Sequence, residues 1–182
     1  MVHPDVLAKM ATPMMSHRSK EASELQRGIA GKLQQLMFTQ NRIVLSTSSG
    51  TGLMEGAIRS VTKKKAMVFA VGAFGKRWHE LAVLNGVDAD LHLEEAGQPT
   101  LPETVDRYLK TGHYDTVTIT HNETSTGIMN PVEAIAEVMA KYPDIVWMLD
   151  TVSSLGGTKI DVDRLGVDVC ISSSQKALAL PP

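Results

Sequence analysis

Short apolar, β-branched runs alternate along this chain with longer segments whose apolar residues recur at helical spacing. The apolar runs predict strands at Ile43–Thr47, Ala66–Val71, Ala89–Leu93, Asp115–His121, Ile145–Asp150 and Val167–Ser172. Several are apolar almost throughout, as strands covered on both faces are. Between them, Ser19–Phe38 places Ala22, Leu25, Ile29, Leu33 and Leu36 on one helical face, and Leu53–Val61 does the same with Leu53, Met54, Ala57, Ile58 and Val61. Gly75–Leu84, Pro102–Lys110 and Pro131–Tyr142 follow as helices, the last two opened by a proline at the first helical position. Gln98–Leu101 reads as a loop, and neither a linker nor a repeat divides the chain. This alternation predicts an α/β fold with a mostly parallel central sheet and right-handed crossovers.

Composition narrows the function classes. With 182 residues, 43% of them hydrophobic, the chain can bury one sizeable core. Lys+Arg (18) nearly balance Asp+Glu (20). The one basic run, Lys63-Lys64-Lys65, has no interleaved aromatics and reads as a solvated turn, so no nucleic-acid partner is expected. The single cysteine, Cys170, excludes an intrachain disulfide framework and fits a reducing compartment. No stretch is long enough for a membrane span and the start lacks a signal-peptide pattern, which predicts a cytoplasmic protein without a membrane partner. The six histidines show no metal-ligand spacing, so no metal is expected.

In open α/β sheets ligands bind at the carboxyl ends of the strands, and here those ends carry polar residues. Ser48-Ser49-Gly50-Thr51-Gly52 follows Ile43–Thr47 and runs into a helix. Such a start suits an anion such as phosphate, or is a serine N-cap after a glycine turn. The next glycine is Gly56, so the dinucleotide fingerprint fails, and no NTPase phosphate loop is present. Phe74, between Gly72 and Gly75, could stack on a flat ligand ring or plug the sheet edge. Asn122-Glu123-Thr124-Ser125-Thr126-Gly127 is a dense polar loop, more polar than a turn needs, after a histidine that reads equally as a satisfied core residue. Asp150 ends an apolar run, either as a helix cap or as counter-charge to a cationic ligand atom, since a buried carboxylate needs a partner. Lys176 follows a buried-looking strand and three serines. A lysine partly desolvated there can act as nucleophile or base. Together these segments fit pyridoxal 5′-phosphate (PLP), whose recognised protein partners are a Schiff-base lysine and an aspartate at the pyridinium nitrogen.

At these residues the sequence resembles the class V aminotransferases of fold-type I PLP enzymes. It looks most like the alanine–glyoxylate, serine–glyoxylate and serine–pyruvate group. The most specific stretches are Ser49–Gly52, His121–Gly127, Asp150–Gly157 and Ser172–Leu178, within a resemblance running from Pro13 to Pro182. It implies a three-layer large domain in which Ser49, Gly50 and Thr51 hold the phosphate with Gln175, and Phe74 stacks on the ring where the best-known relatives carry tryptophan. Thr124 would touch the cofactor near its ring, Asp150 would pair with the pyridine nitrogen and Lys176 would form the internal aldimine. The activity implied is transamination between a small amino acid, alanine or serine, and a 2-oxo acid, glyoxylate or pyruvate, in a homodimer.

The resemblance also implies a substrate-carboxylate arginine and a small C-terminal domain, both expected beyond residue 182. The sequence therefore reads as a large-domain fragment, truncated at both ends, expected to fold but not to turn over substrate. Two rival readings remain. A cysteine desulfurase or other lyase needs a reactive cysteine on a mobile loop, whereas Cys170 lies mid-strand between Val169 and Ile171. A non-catalytic nucleotide-binding module would leave Asp150 and Lys176 without roles.

Overall fold

The computed structural model describes residues 2–181. Along the chain run α1 (Pro4–Met10), α2 (Lys20–Met37), α3 (Gly50–Val61), β1 (Ala66–Ala70), α4 (Ala73–Leu84), β2 (Ala89–Leu93), α5 (Pro102–Leu109) and β3 (Thr116–Thr120). The hairpin strands β4 (Asn122–Glu123) and β5 (Ile128–Met129) come next, then α6 (Val132–Met139), β6 (Val146–Asp150), α7 (Val162–Leu165) and β7 (Val169–Ile171). The main sheet has the order β2-β1-β3-β6-β7 with every pair parallel. No helix among the described residues is long and apolar enough to cross a membrane.

Side-chain alternation sorts the central strands into two cores. Met67 and Phe69 of β1, Val117 and Ile119 of β3, and Trp147 and Leu149 of β6 pack with Val105, Leu109 and Ile135 of α5 and α6. The intervening Ala66, Val68 and Met148 face Met54 and Ile58 of α3 and Trp78 and Ala82 of α4. Both faces are covered, which is why β1 is apolar throughout, why β3 and β6 carry no charge before Asp150, and why the layers number three.

The β1–α4 turn is the tightest joint. A Cβ on Gly75 would lie 2.6 Å from the Cα of Ala70, a backbone atom, so only glycine lets the helix sit this close to its strand. At the other end of the strands, Asp115 gathers the N–H groups of Lys63, Lys64 and Lys65 at 2.9, 2.8 and 3.1 Å. The basic run is thus a turn wrapped around a carboxylate. Burial pushes that carboxyl up, but the three donors outweigh it and leave the pKa lowered.

The structure departs from the sequence expectations in definable places. Ile43–Thr47 is not a strand: Ile43 packs against the α5–α6 core while Val44 and Leu45 are exposed, and no described segment pairs with its backbone. Apolar content favours a strand only where a neighbour supplies the ladder. Pro131 is the N-cap of α6, and Val132 its first residue. The polar loop after β3 contains the β4–β5 hairpin. Helices α3 and α4 begin earlier than expected, at Gly50 and Ala73. The apolar face of α2 is largely uncovered: only Ala22 and Met37 are buried, while Leu25, Ile29 and Leu36 are exposed.

Replacing Gly75 with alanine drives a methyl group into β1. We expect Gly75→Ala to lower unfolding stability by about 1–3 kcal/mol, measured by denaturant titration. An unchanged midpoint would show that the joint relaxes freely.

Candidate active site

All eight residues singled out from the sequence line one cavity at the carboxyl ends of the strands. Ser49, Gly50, Thr51, Phe74, Thr124, Asp150, Gln175 and Lys176 surround an empty volume of about 630 Å³, counted to its open mouth. Met54, Thr120, Asn122, Val152 and Ser153 complete the lining; Asn122, Val152 and Ser153 belong to stretches singled out from the sequence, whereas Met54 and Thr120 were not anticipated.

The anion-binding end is built by α3. Ser49 is its N-cap, accepting from the Gly52 N–H at 3.2 Å. Among the described residues, the backbone N–H groups of Gly50 and Thr51 have no partner in the chain. They are free donors at the positive end of a helix dipole, as an anion requires. A Cβ on Gly50 would press on Val152 Cγ2 at 3.1 Å, so the missing side chain keeps this end narrow and open. Both readings of Ser49, cap and anion site, therefore coexist.

Helix α4 forms a second wall. Phe74 and Trp78 lie one turn apart on the same side, and Arg77 lies over the Phe74 ring with its guanidinium carbon 5.4 Å from the centroid. Arg77 Nη1 also donates to Thr51 Oγ1 at 3.4 Å, linking the two helix starts. Trp78 Nε1 donates to Asp150 Oδ2 at 3.4 Å. Trp78 and Arg77 escaped the sequence reading, although spacing of four and three residues from Phe74 would have flagged them once α4 is known to begin at Ala73.

Asp150, the last residue of β6, is 3% exposed. Its other oxygen accepts the Val152 N–H at 2.9 Å, a local turn instead of a helix cap. No lysine, arginine or histidine pairs with it among the described residues. Burial pushes its carboxyl up to about 6; the two N–H donors pull the other way, and the nearby Glu123 charge adds to the rise. A carboxylate this poorly matched is suited to meet a cationic N–H from a ligand.

Lys176 and Gln175 line the mouth but are exposed, which corrects the expectation of a desolvated lysine. They sit in an irregular turn closed by the Ala179 N–H on Lys176 O at 2.9 Å and the Leu180 N–H on Ser174 O at 3.1 Å. The glycine pair Gly156-Gly157 seats that turn: a Cβ on Gly156, whose φ is +86°, would meet Leu178 Cδ2 at 3.1 Å. His121 is a buried core histidine, bonded through Nδ1 to Ser154 Oγ at 3.0 Å and lowered in pKa by burial. Cys170 lies in β7 outside the cavity, and burial pushes its thiol up to about 11, so it lacks the character of a reactive nucleophile.

Comparison with known proteins agrees with this geometry. The family profile described as Aminotransferase class-V matches residues 5–181. An uncharacterized aminotransferase of Methanocaldococcus jannaschii is 40% identical over 185 residues, covering 100% of this chain and 48% of that protein. A protein named soluble hydrogenase, small subunit, of Synechococcus is 33% identical over 187 residues, covering 100% of this chain and 48% of its own length. A solved alanine–glyoxylate aminotransferase from Nostoc superposes with a TM-score of 0.94 at 29% identity, covering 100% of this chain and 48% of that one. The chain spans about half the length of the curated relatives it matches.

The Asp150 shift sets a direction for stability. An unfolded aspartate ionises near pH 4, so between about 4 and 6 the folded chain keeps a proton that the unfolded chain has released. The contribution of Asp150 to stability therefore falls as pH rises through that window. We expect Asp150→Asn to flatten this slope and to raise stability at neutral pH by on the order of 1–3 kcal/mol, read from denaturant unfolding at both ends of the window. A variant less stable than its parent at neutral pH would mean that the carboxylate is already satisfied.

Proposed function

The chain belongs to the class-V aminotransferase family, and from that premise we propose that its cavity binds PLP. The activity we propose is transamination between a small amino acid, alanine or serine, and a 2-oxo acid such as glyoxylate or pyruvate. The observation that carries the reading is Asp150, a buried carboxylate without a cation, in the same cavity as Lys176 and the free N–H groups of α3. Support for the substrate class comes from the fold match to an alanine–glyoxylate aminotransferase.

Bound PLP supplies a carbonyl carbon that accepts an amine and a protonated ring that draws electrons from the carbon losing a proton. The residues fit that group. The Gly50 and Thr51 N–H groups, with the Ser49 and Thr51 hydroxyls and Gln175, would hold the phosphate. Phe74 and Thr124, which line the same cavity, would bound the ring. Asp150 would be charged beside a cationic ring N–H and would keep that nitrogen protonated. Lys176 Nζ would be the amine for the carbonyl carbon and the base for the α-proton of the substrate. A homodimer belongs to the same proposal, supported by the uncovered apolar face of α2.

The test is chemical. The protein is incubated with PLP, reduced with borohydride and mapped by peptide mass spectrometry. The reduced pyridoxyl group is expected on Lys176, and Lys176→Ala should take up none at any defined position. Label spread over surface lysines such as Lys63–Lys65, with none enriched at Lys176, would sink the reading.

A further inference from the structure

We propose that Glu123, which lines no part of the cavity, is the positioning residue of this site, a single carboxylate that locks two of its walls together. The inference rests on the PLP reading for its functional meaning, and on geometry for everything else.

Glu123 is 0% exposed, and no basic side chain pairs with it among the described residues. Four donors hold its charge. Oε2 accepts the N–H groups of Phe74 and Gly75 at 2.9 and 3.0 Å. Oε1 accepts the Ser125 N–H at 3.1 Å and the Ser125 hydroxyl at 2.6 Å. Ser125 Oγ in turn accepts the Ala73 N–H at 2.9 Å. Helix α4 has Gly72 at its N-cap and so no side chain of its own to close its first turn. Glu123 supplies the missing cap from a hairpin strand 48 and 49 residues away.

The fit leaves no room for alternatives. A Cβ on Gly72 would lie 2.4 Å from Ser125 Oγ and 2.5 Å from Glu123 Cγ. What the cap fixes is the part of α4 that faces the cavity, with Phe74 as plate, Arg77 bridging to Thr51 and Trp78 donating to Asp150. The residues on either side of Glu123, Asn122 and Thr124, line the same cavity. One carboxylate thus ties this lining segment to the first turn of α4 that carries Phe74. A glutamine cannot replace it, because its amide nitrogen must face an N–H donor at one of the two positions.

Two measurements decide the matter. In PLP-free protein, amide hydrogen exchange at Ala73, Phe74 and Gly75 should accelerate at least about tenfold in Glu123→Gln, while β1 and β3 keep their parental rates. The second is a double-mutant cycle on PLP affinity. Phe74→Ala should weaken binding by up to about tenfold in the parent and by less than about twofold in Glu123→Gln, because the plate no longer has a fixed position to lose. Equal weakening in both backgrounds, or unchanged exchange, overturns the proposal. Should Glu123→Gln show no cooperative unfolding, Ser125→Ala replaces it. That variant removes one of the four donors and the Ala73 acceptor, and should accelerate Ala73 exchange and shrink the Phe74 effect. An undiminished Phe74 effect there overturns the proposal as well. If the parent takes up no PLP, the proposed function fails, and the exchange rates still decide whether Glu123 caps α4.

Discussion

The first turn of α4 is where the demands on this molecule meet. The helix must lie against β1 closely enough to cover the sheet, which only Gly75 allows, and it must present Phe74 and Trp78 to the strand ends. Its exposed N–H groups also need an acceptor, and Gly72 cannot provide one. The chain resolves the last requirement through the β4–β5 hairpin, so two lining segments of the cavity share one set of hydrogen bonds. Neither element is positioned by its own sequence alone.

The electrostatics of the site follow from the same economy of donors. The α4 amides are consumed by Glu123, whereas those at the start of α3 stay free, so an anion has one helix start to choose. Asp150 is placed deeper, between a tryptophan and a backbone amide, where ionisation is costly. A ligand with an anionic end and a cationic ring nitrogen would improve the electrostatics at both positions. A buried carboxylate without a cationic partner costs stability, as sites that favour function commonly do.

Much of this was readable from residues in order. Strands covered on both faces announce themselves as apolar runs, and a residue directly after such a run lies at a strand end whatever the details of packing. That is why the segments carrying Asp150, Phe74, Thr124 and Lys176 could be placed at one edge of the sheet from the order of elements, while their individual roles were implied by the family resemblance. Other features depend on neighbours that lie far away along the chain. Ile43–Thr47 has the composition of a strand and lacks the partner. The β4–β5 strands are two residues each, too short to leave a period. Glu123 looks like one of five polar residues ahead of Gly127, and its donors Phe74 and Gly75 belong to a different crossover. The exposure of Lys176 is likewise tertiary, set by how the 175–180 turn rests on Gly156-Gly157.

Cys170 gives the fold an unplanned property. The only cysteine of the chain sits in β7, with Sγ 3.4 Å from Thr151 Oγ1 and its thiol pushed up to about 11. Burial disfavours the thiolate, so alkylating reagents and oxidants meet a weak nucleophile while the strand is docked. Detachment of β7 would remove that burial. The molecule therefore carries a built-in reporter of its own opening, and the strand it reports on is the one that leads straight into Lys176.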